Sequence, residues 1–453
     1  MQNMVAQYSS FSALHETAKI MHMKSQSAKA LRSRPNITIN KRRLLRDLNA
    51  VSRIGLGDHG SVTRLVFSIK ELRSRQFLIH QMRQIGLEIK IDRIGNIFGR
   101  LEGSFPKASA VLAGSHLDTV VQGGKYDGTM GVIAALEAAR TLKEHNVPLR
   151  SPVEVVSFVG EESSRFGFST LGSSLVAGEV RAEDLANASD PHGAKLEDIL
   201  AELGIHRNNL LSLRRDPSSL KAYLELHIEQ GPVLEARKKP IGVVTSIAAP
   251  TRFKVIIIGQ ADHSGTTPME MRKDALVAAA ELTLTIERIC RQHSDMNKGR
   301  VVGTVGALKI EPGVINAVPG KAELAVDVRS ITASAKNRVV RLIEAKIREI
   351  AVRRKIRIKI LPIRKEDPVP LDKRVVQLLK GCCEARGVPY EIMPSGAGHD
   401  AMQMAKITPA GMLFIPSRRG ISHNPLEWSA PQDISLGAQL LLDAIVRAAN
   451  EEI

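Results

Sequence analysis

The sequence alternates short apolar runs with helix-like stretches, and this alternation constrains the fold more than any other feature. Apolar runs of strand length occupy residues 110–114, 153–159 and 222–228, and a helix-like stretch at 131–145 separates the first two. Continuous apolar strands that alternate with helices are typical of a mostly parallel sheet covered on both faces. We therefore expect an α/β fold with a mostly parallel sheet.

The middle of the chain has a different order of elements. The expected elements there are a strand at 253–258, a helix at 271–293, strands at 301–310 and 322–328, a helix at 336–350 and a strand at 356–363. This β-α-β-β-α-β order is that of a ferredoxin-like α+β unit. Beyond it the first rhythm resumes, with a helix at 371–386, a strand at 412–415 and a helix at 435–449. The middle segment is therefore interpreted as an insertion into the α/β domain.

The chain length supports this division. A single hydrophobic core stops growing at roughly 250 to 300 residues, and the chain has 453. We predict an N-terminal extension at 1–40, the first part of the main domain at 41–248, the inserted domain at 249–364 and the second part of the main domain at 365–453.

Residues 1–40 carry five basic residues against one acid and are rich in Ser and Ala. We expect a disordered extension, with an organellar transit peptide as the alternative. The three cysteines form neither a disulfide framework nor a CxxC pair, which fits a reducing compartment and predicts a cytoplasmic protein. No apolar run approaches the roughly 20 residues that span a bilayer, so no membrane association is expected.

The formal net charge of +17 raises the question of a nucleic-acid partner. The basic residues between 346 and 359 alternate with apolar ones and have no aromatic residues among them. Single-stranded nucleic acids are commonly bound by basic grooves that include aromatic stacking platforms. The pattern indicates a solvated surface and excludes nucleic acid as the expected partner.

Polar residues follow each apolar run of the main domain. His116 and Asp118 follow the first run, Glu161 and Glu162 the second, and His227 lies at the end of the third. Ligand sites of open α/β sheets lie at the carboxyl ends of the strands, so these side chains are expected to meet.

Two further residues complete the set of candidate metal ligands. Asp127 lies in a glycine-rich loop and His423 in the segment Ile-Ser-His-Asn-Pro. Imidazoles and carboxylates suit zinc, manganese or cobalt rather than calcium. Two histidines and a carboxylate can fill one metal site, and a shared carboxylate with one Glu and one His can fill a second. Adjacent Glu161 and Glu162 point to opposite sides if extended, so one can bind metal while the other acts as a general base.

The motifs in this chain resemble those of the metallopeptidase-related (M20-type) amidohydrolases, a family that includes N-carbamoyl-L-amino-acid hydrolase, β-ureidopropionase and allantoate amidohydrolase. The resemblance runs from about Ile37 to the C-terminus. The motifs, in the order of that family, are GSHLDTV, GGKYDGTMGV, GEESSRFG, HIEQGP, GQADHSGTTPM, GVINAVP, DVRS, SGAGHDAM and ISHNP.

The resemblance implies a site with two divalent metal ions, zinc in the first place and manganese, cobalt or nickel as alternatives. It implies that one ion is bound by His116, Asp127 and His227, and that Asp127 bridges to a second ion. The second ion would be held by Glu162 and His423. Glu161 would be the general base, and Asp118 would orient His116.

The resemblance also implies a set of substrate-binding residues, which are Gln230, Asn316, Arg329, Gly398 and His399. The guanidinium of Arg329 suits a substrate carboxylate because it offers two parallel hydrogen bonds. A surface ion pair is the alternative for Arg329. His263 would stabilise the oxyanion that develops on the ureido carbon, and the alternative for it is a helix cap.

The implied function is metal-dependent hydrolysis of the N-carbamoyl group of amino acids, which gives amino acid, ammonia and carbon dioxide. In the related peptidases a carboxylate stands at the position of His227, which favours the carbamoylase branch. Allantoate hydrolysis is the nearest alternative, and peptide or acyl-amino-acid hydrolysis is more distant. The resemblance further implies that the inserted domain acts as a lid and forms a homodimer, with some substrate contacts crossing between subunits.

Overall fold

The structure is a computed structural model and describes residues 37–186, 188–294 and 301–453. The predictions for residues 1–36 of the N-terminal extension lie outside these ranges. None of the described helices is long and apolar enough to cross a membrane.

The described strands, in chain order, are β1 (Glu88–Ile91), β2 (Ile97–Leu101), β3 (Ala110–His116), β4 (Val153–Phe158), β5 (Leu220–Ile228), β6 (Ile241–Ile247), β7 (Ala249–Ile258), β8 (Asp262–His263), β9 (Val301–Glu311), β10 (Ala317–Val318), β11 (Lys321–Ser330), β12 (Arg357–Lys365), β13 (Val369–Pro370), β14 (Tyr390–Ser395) and β15 (Ala410–Ile415). The described helices are α1 (Lys41–Ser52), α2 (Ile69–Gln84), α3 (Thr129–Glu144), α4 (Leu171–Ala177), α5 (Ala182–Ala186), α6 (Leu196–Glu202), α7 (Val233–Arg237), α8 (Ala275–Gln292), α9 (Ala333–Arg353), α10 (Lys373–Ala385), α11 (Asp400–Met404) and α12 (Pro431–Asn450).

The larger sheet has the strand order β1-β2-β4-β3-β5-β15-β6-β13, and β14 also pairs with β6. Its four central strands, β4, β3, β5 and β15, are parallel to one another, whereas β1 and β2 flank them in antiparallel pairs. The predicted α/β class with a mostly parallel central sheet is confirmed. Because the central strands are parallel, their carboxyl ends lie at the same edge.

Burial explains why the central strands of the larger sheet have continuous apolar sequences. Every residue of β3, β4 and β15 is buried, since both faces of the sheet are covered. Helix α3 is buried from Thr129 to Leu142 and packs against β3 and α12. A helix that is buried nearly all round belongs to the core, and this one fixes the loop that precedes it.

The smaller sheet is antiparallel, with the order β12-β7-β11-β9. Along the chain its strands and two helices follow the order β7-α8-β9-β11-α9-β12. Strand β11 alternates between buried and half-buried residues, and its buried side packs with α8 and α9 into a separate hydrophobic core. This sheet spans residues 249–365.

Several element bounds differ from the expectation. Helix α8 begins at Ala275 rather than at 271, because the side chain of Asp274 accepts hydrogen bonds from the backbone N–H groups of Leu276 and Val277 and caps the helix there. Strands β2, β6 and β14 were not predicted. Strand β2 is short and contains Gly99, a residue that is uncommon within strands, and β6 runs almost directly into β7 without a turn between them.

The basic stretch between residues 346 and 359 lies at the surface, on α9 and β12. Lys346 and Arg348 are exposed, and Arg353 and Arg354 form ion pairs with Glu281 on α8. The basic groups of this stretch therefore face solvent or pair with an acid on a neighbouring helix, as expected for a solvated surface.

A buried lysine ties together the two connections between the sheets. The side chain of Lys336 on α9 is fully buried, and its Nζ donates to the backbone carbonyls of Ala249 at 3.2 Å, Pro250 at 3.5 Å and Glu366. Ala249 and Pro250 begin β7 just after the larger sheet, and Glu366 follows β12 just before the chain returns to it. The ammonium group of Lys336 therefore binds both of the chain segments that connect the two sheets.

We expect Lys336→Met to lower the free energy of unfolding by about 1–3 kcal/mol, because buried carbonyl groups lose their donor. Urea unfolding followed by circular dichroism measures this effect. Lys346→Met is the matched control, since Lys346 lies on the same helix, is exposed and forms only a surface ion pair with Glu349. An equal effect of the two substitutions would contradict this role of Lys336.

Candidate metal centre

The carboxyl ends of the four parallel strands bring the predicted metal ligands together. His116 is the last residue of β3 and His227 lies at the end of β5, while Glu161 and Glu162 follow β4. His423 lies in the segment between β15 and α12. These residues are far apart in the sequence and meet because parallel strands end at one edge.

Asp127 lies at the centre of this cluster. Its Oδ1 is 3.1 Å from Nε2 of His227 and 3.7 Å from Nε2 of His116. Its Oδ2 is 3.1 Å from Nε2 of His423, which in turn lies 3.2 Å from Oε1 of Glu162. The side chains form two groups of possible metal ligands that share the Asp127 carboxylate, and within each group the ligand atoms lie within 4.8 Å of one another.

The charge of the site fits divalent cations. Asp118, Asp127, Glu161 and Glu162 are all buried, and among the described residues their ion pairs are with histidine side chains alone. Burial, followed by the charge of Glu162, raises the pKa of Glu161 well above its usual value. Buried carboxylates need compensating positive charge, and nitrogen and oxygen donors of this kind suit zinc and its neighbours.

The pKa values of the histidines show where positive charge is favoured. Hydrogen bonds with Asp127 and Glu162 raise the pKa of His423 to about 11. Burial alone would lower the pKa of His227, but the hydrogen bond and the charge of Asp127 raise it to about 9. The carboxylates thus favour positive charge at both ends of Asp127, which is the position of the two groups.

Backbone carbonyls orient the two inner histidines. Nδ1 of His116 lies 2.9 Å from the carbonyl oxygen of Asp118, and Nδ1 of His227 lies 2.8 Å from that of Ile228. Both rings therefore direct Nε2 towards Asp127. A hydrogen bond on the outer ring nitrogen fixes the tautomer of a metal-binding histidine.

The side chain of Asp118 differs from the expectation that its carboxylate orients His116. The carboxylate is 3.7 Å from Nδ1 of His116 and instead accepts hydrogen bonds from the backbone N–H groups of Gly160, Glu161 and Glu162 at 3.0–3.2 Å. It holds the turn that presents both glutamates. His116 is therefore oriented by the backbone carbonyl of Asp118 rather than by its carboxylate. The sequence does not show which of the two groups of Asp118 faces the ring.

A glycine allows Asp127 and His116 to approach. Gly128 has a φ of +59°, and a Cβ atom there would lie 2.2 Å from Nε2 of His116. Any side chain at this position would collide with the ring.

Residues that the sequence did not single out support Asp127 from the other side. Ser422 donates to Asp127 Oδ2 at 3.2 Å, and Glu427 accepts from the backbone N–H groups of Tyr126 at 2.8 Å and Asp127 at 3.2 Å. No motif or spacing marks Glu427. Glu225 was also missed, although it lies two positions before His227 and so on the same side of β5; it accepts hydrogen bonds from Ser115 Oγ at 2.7 Å and the Ala401 N–H at 3.0 Å.

Four of the five predicted substrate-binding residues line the cavity at the metal cluster, namely Gln230, Arg329, Gly398 and His399, together with the candidate ligands Asp127, Glu162, His227 and His423. Gln230 donates to Oδ2 of Asp127 at 2.7 Å. The buried ring of His399 lies 4.5 Å from that of His227, and burial, followed by the charge of His227, holds the pKa of His399 well below its usual value. His399 thus lines the cavity as a buried ring beside the candidate ligand His227.

Arginine side chains from the smaller sheet form another part of the wall of the same cavity. Arg329 lines it together with Arg252 and Arg364, all three from the smaller sheet. Arg329 also forms an ion pair with Asp327 at the end of its strand. The residue therefore both lines the cavity and forms the ion pair that was its alternative role.

His263 and Asn316 do not reach this cavity within one chain. Both are exposed, His263 in the small β8–β10 ladder and Asn316 directly before β10. Nδ1 of His263 accepts from the backbone N–H groups of Gly265 at 3.1 Å and Thr266 at 3.3 Å, so it stabilises a turn rather than capping a helix. Within one chain, neither side chain lines the cavity in which an oxyanion would form.

Comparison with known proteins places the fold and the site in context. Residues 112–447 match the sequence profile of Peptidase family M20/M25/M40. The chain is 39% identical to an N-carbamoyl-L-amino acid amidohydrolase of Geobacillus stearothermophilus, with 91% of this chain and 100% of the relative covered. It is 38% identical to an allantoate amidohydrolase of Escherichia coli (strain K12), with 86% and 94% covered. A crystal structure of an amidase of the hydantoinase/carbamoylase family from Burkholderia multivorans superimposes with a TM-score of 0.82 at 32% identity, over 92% of this chain and 100% of that one.

Proposed function

This chain belongs to Peptidase family M20/M25/M40 and is a hydrolase of the amidohydrolase type, and from that premise we propose that it removes the N-carbamoyl (ureido) group from N-carbamoyl amino acids. The products are the amino acid, ammonia and carbon dioxide. The observation that carries the proposal is one cavity that is lined both by residues of the two ligand groups, namely Asp127, Glu162, His227 and His423, and by three arginines. A ureido acid has a carbonyl carbon that water can attack, with cleavage of a carbon–nitrogen bond, and a carboxylate that a guanidinium can bind. The cavity offers a partner for each.

We propose that His116, Asp127 and His227 hold one divalent ion and that Asp127, Glu162 and His423 hold the other. Zinc suits these donors best, and manganese, cobalt and nickel are alternatives. Bound there, the two ions would polarise the ureido carbonyl and lower the pKa of the attacking water.

Glu161 is the proposed general base. Its Oε2 lies 3.8 Å from Nε2 of His116, and it lines the cavity beside the ligands. The carboxylate accepts a proton from the attacking water and returns it to the leaving nitrogen. Burial and the charge of Glu162 raise the pKa of Glu161, and the positive charge of two bound ions would oppose that rise.

Arg329 is the proposed anchor for the substrate carboxylate, because its guanidinium lines the cavity and can donate charge-assisted hydrogen bonds to a carboxylate. Gln230, Gly398 and His399 contribute the remaining contacts from the larger sheet. Since the anchor and the ligands lie on different sheets, the smaller sheet acts as a lid whose position relative to the larger one sets the geometry of the reaction.

We further propose that the chain functions as a homodimer in which His263 and Asn316 reach the cavity of the other subunit. Both side chains are exposed, and the neighbouring Ile315 and Met269 are among the most exposed apolar residues of the described chain. An exposed apolar patch next to polar side chains is typical of an interaction surface. His263 would then donate a hydrogen bond to the oxyanion.

Mixing two inactive variants tests this exchange of residues. Glu161→Gln and His263→Ala chains, dissociated and reassociated together, are expected to recover ammonia release, because a hybrid dimer has one site with both groups intact. Glu161→Gln mixed with Asp127→Asn is the control, since both groups belong to one site and no intact site can form. Absence of recovery in the first mixture would place His263 outside the reaction or within its own subunit.

The compartment follows from the cysteines. All three are free and buried, which fits a reducing environment, and we propose that the protein is cytoplasmic.

Allantoate is the alternative substrate, because it also combines a ureido group with a carboxylate. Ammonia release by the metal-loaded protein from N-carbamoyl-L-amino acids, N-carbamoyl-β-alanine and allantoate tests the proposal. We expect the highest kcat/KM with an N-carbamoyl-L-amino acid. A higher value for allantoate would assign the chain to the other branch, and hydrolysis of acyl-amino acids or dipeptides without any ammonia release would overturn the proposal.

A further inference from the structure

The arginine wall of the cavity contains a second guanidinium beside Arg329. Arg252 on β7 lies directly opposite Asp327 on the neighbouring strand β11, and Arg329 lies two residues further along β11. Arg252 and Arg329 both line the cavity that contains Glu161 and the metal ligands. Because residues two apart in a strand share a face, the three side chains form one cluster.

The hydrogen bonds of the two arginines differ. Arg329 donates Nε and Nη2 to the carboxylate of Asp327 at 3.0 and 3.1 Å, and Nη1 to the carbonyl of Gly396 at 3.2 Å. Arg252 donates only Nε, to Oδ2 of Asp327 at 2.9 Å. Among the described residues, neither terminal nitrogen of Arg252 has a hydrogen-bond partner. The Nε and Nη2 groups of Arg329 are thus occupied by Asp327, and its Nη1 by Gly396. Both Nη groups of Arg252 are free of partners among the described residues.

The charge of the cluster is unbalanced. Arg252 and Arg329 share the single carboxylate of Asp327, which leaves one positive charge in excess. The third arginine of the wall does not add to this excess, because Arg364 forms an ion pair with Glu366 and stacks over the ring of Phe168 at 5.3 Å. About a third of the Arg252 side chain is exposed, at 32%, so a ligand in the cavity can reach it.

We infer that Arg252 is a second carboxylate-binding residue, and that its two Nη groups donate to the carboxylate of the ureido substrate while Arg329 contacts the same group from the side. The inference rests on the proposed function and specifies its substrate class, which is a ureido compound with an ionised carboxylate. Asp327 holds the two guanidiniums together and fixes their spacing. A carboxylate that enters the cluster neutralises its excess charge.

Kinetics of Arg252→Ala with paired substrates test the inference. The pair is the best N-carbamoyl amino acid and its carboxamide, in which the carboxylate is replaced by a neutral amide. For the acid we expect KM to rise about 10- to 100-fold with kcat changed little, since charged hydrogen bonds common to the ground and transition states are lost. For the amide we expect the same kcat/KM as in the unsubstituted protein. Arg252→Lys should recover part of the loss for the acid.

Arg357→Ala is the control, because Arg357 lies on the same sheet, is exposed, and its loss changes the net charge equally. This variant should match the unsubstituted protein with both substrates. An equal loss of Arg252→Ala towards the acid and the amide would assign Arg252 a structural role through Asp327, and unchanged kinetics would exclude it from binding. Either result overturns the inference.

Calorimetry separates failure of this inference from failure of the proposed function. In the Glu161→Gln background, binding of N-carbamoyl-L-alanine is measured with and without Arg252→Ala. Weaker binding caused by Arg252→Ala supports the inference even if the protein releases no ammonia, in which case the proposed function alone fails. Equal binding in both proteins overturns the inference even if ammonia is released.

Discussion

Glu161→Gln is expected to lower kcat by about 10²- to 10⁴-fold while KM and the bound metal change little. Glutamine has nearly the same shape as glutamate but cannot accept the proton of the attacking water. Glu161 is not one of the residues of the two ligand groups, so its substitution leaves those groups intact. The loss should therefore appear in the chemical step rather than in the assembly of the site.

Two measurements check this expectation, namely the rate of ammonia release and the metal content of the purified variant. Glu202→Gln provides the matched control, because Glu202 is exposed at the end of α6 and does not line the cavity at the cluster. If Glu161→Gln retained more than about a tenth of the rate, general-base catalysis by this residue would be excluded.

Asp127→Asn is expected to have the largest effect on metal binding. The carboxylate of Asp127 belongs to both ligand groups, with Oδ1 facing His116 and His227 and Oδ2 facing His423. Asparagine offers one oxygen and no charge, so it cannot bridge two cations. We expect the metal content to fall from about two ions per chain to one or fewer and kcat to fall by at least about 10³-fold, because a two-ion site acts as a unit.

Metal analysis after dialysis, together with ammonia release, measures both effects. Asp198→Asn is the control for the chemical change alone, because Asp198 is an exposed residue of α6. Retention of two ions by Asp127→Asn would contradict the bridging position of this carboxylate.

Much of the fold and of the ligand cluster could be predicted because the responsible signals are local. Continuous apolar runs indicated buried parallel strands, and polar residues directly after these runs marked the carboxyl edge of the sheet. His116, Glu161 and His227 lie where this rule expects them. Their identities, rather than their spacing, pointed to metal chemistry.

Other features depend on contacts that no local pattern contains. The carboxylate of Asp118 binds the Glu161–Glu162 turn, and Glu427 supports Asp127 from a position 300 residues away in the sequence. Arg252 is one of many basic residues in the sequence, and only the pairing of β7 with β11 places it beside Asp327. The role of His263 could not be predicted from one chain if, as proposed, this side chain enters the cavity of a second chain.

The measurement that most directly tests a two-metal ureido hydrolase is a titration of the metal-free protein with zinc, in which ammonia release from an N-carbamoyl-L-amino acid is followed at each addition. We expect no release without metal and a rate that rises until about two ions are bound per chain, in line with the two ligand groups that share Asp127. A full rate in the metal-free protein, or a rate that stays at zero with both ions bound, would contradict the assignment.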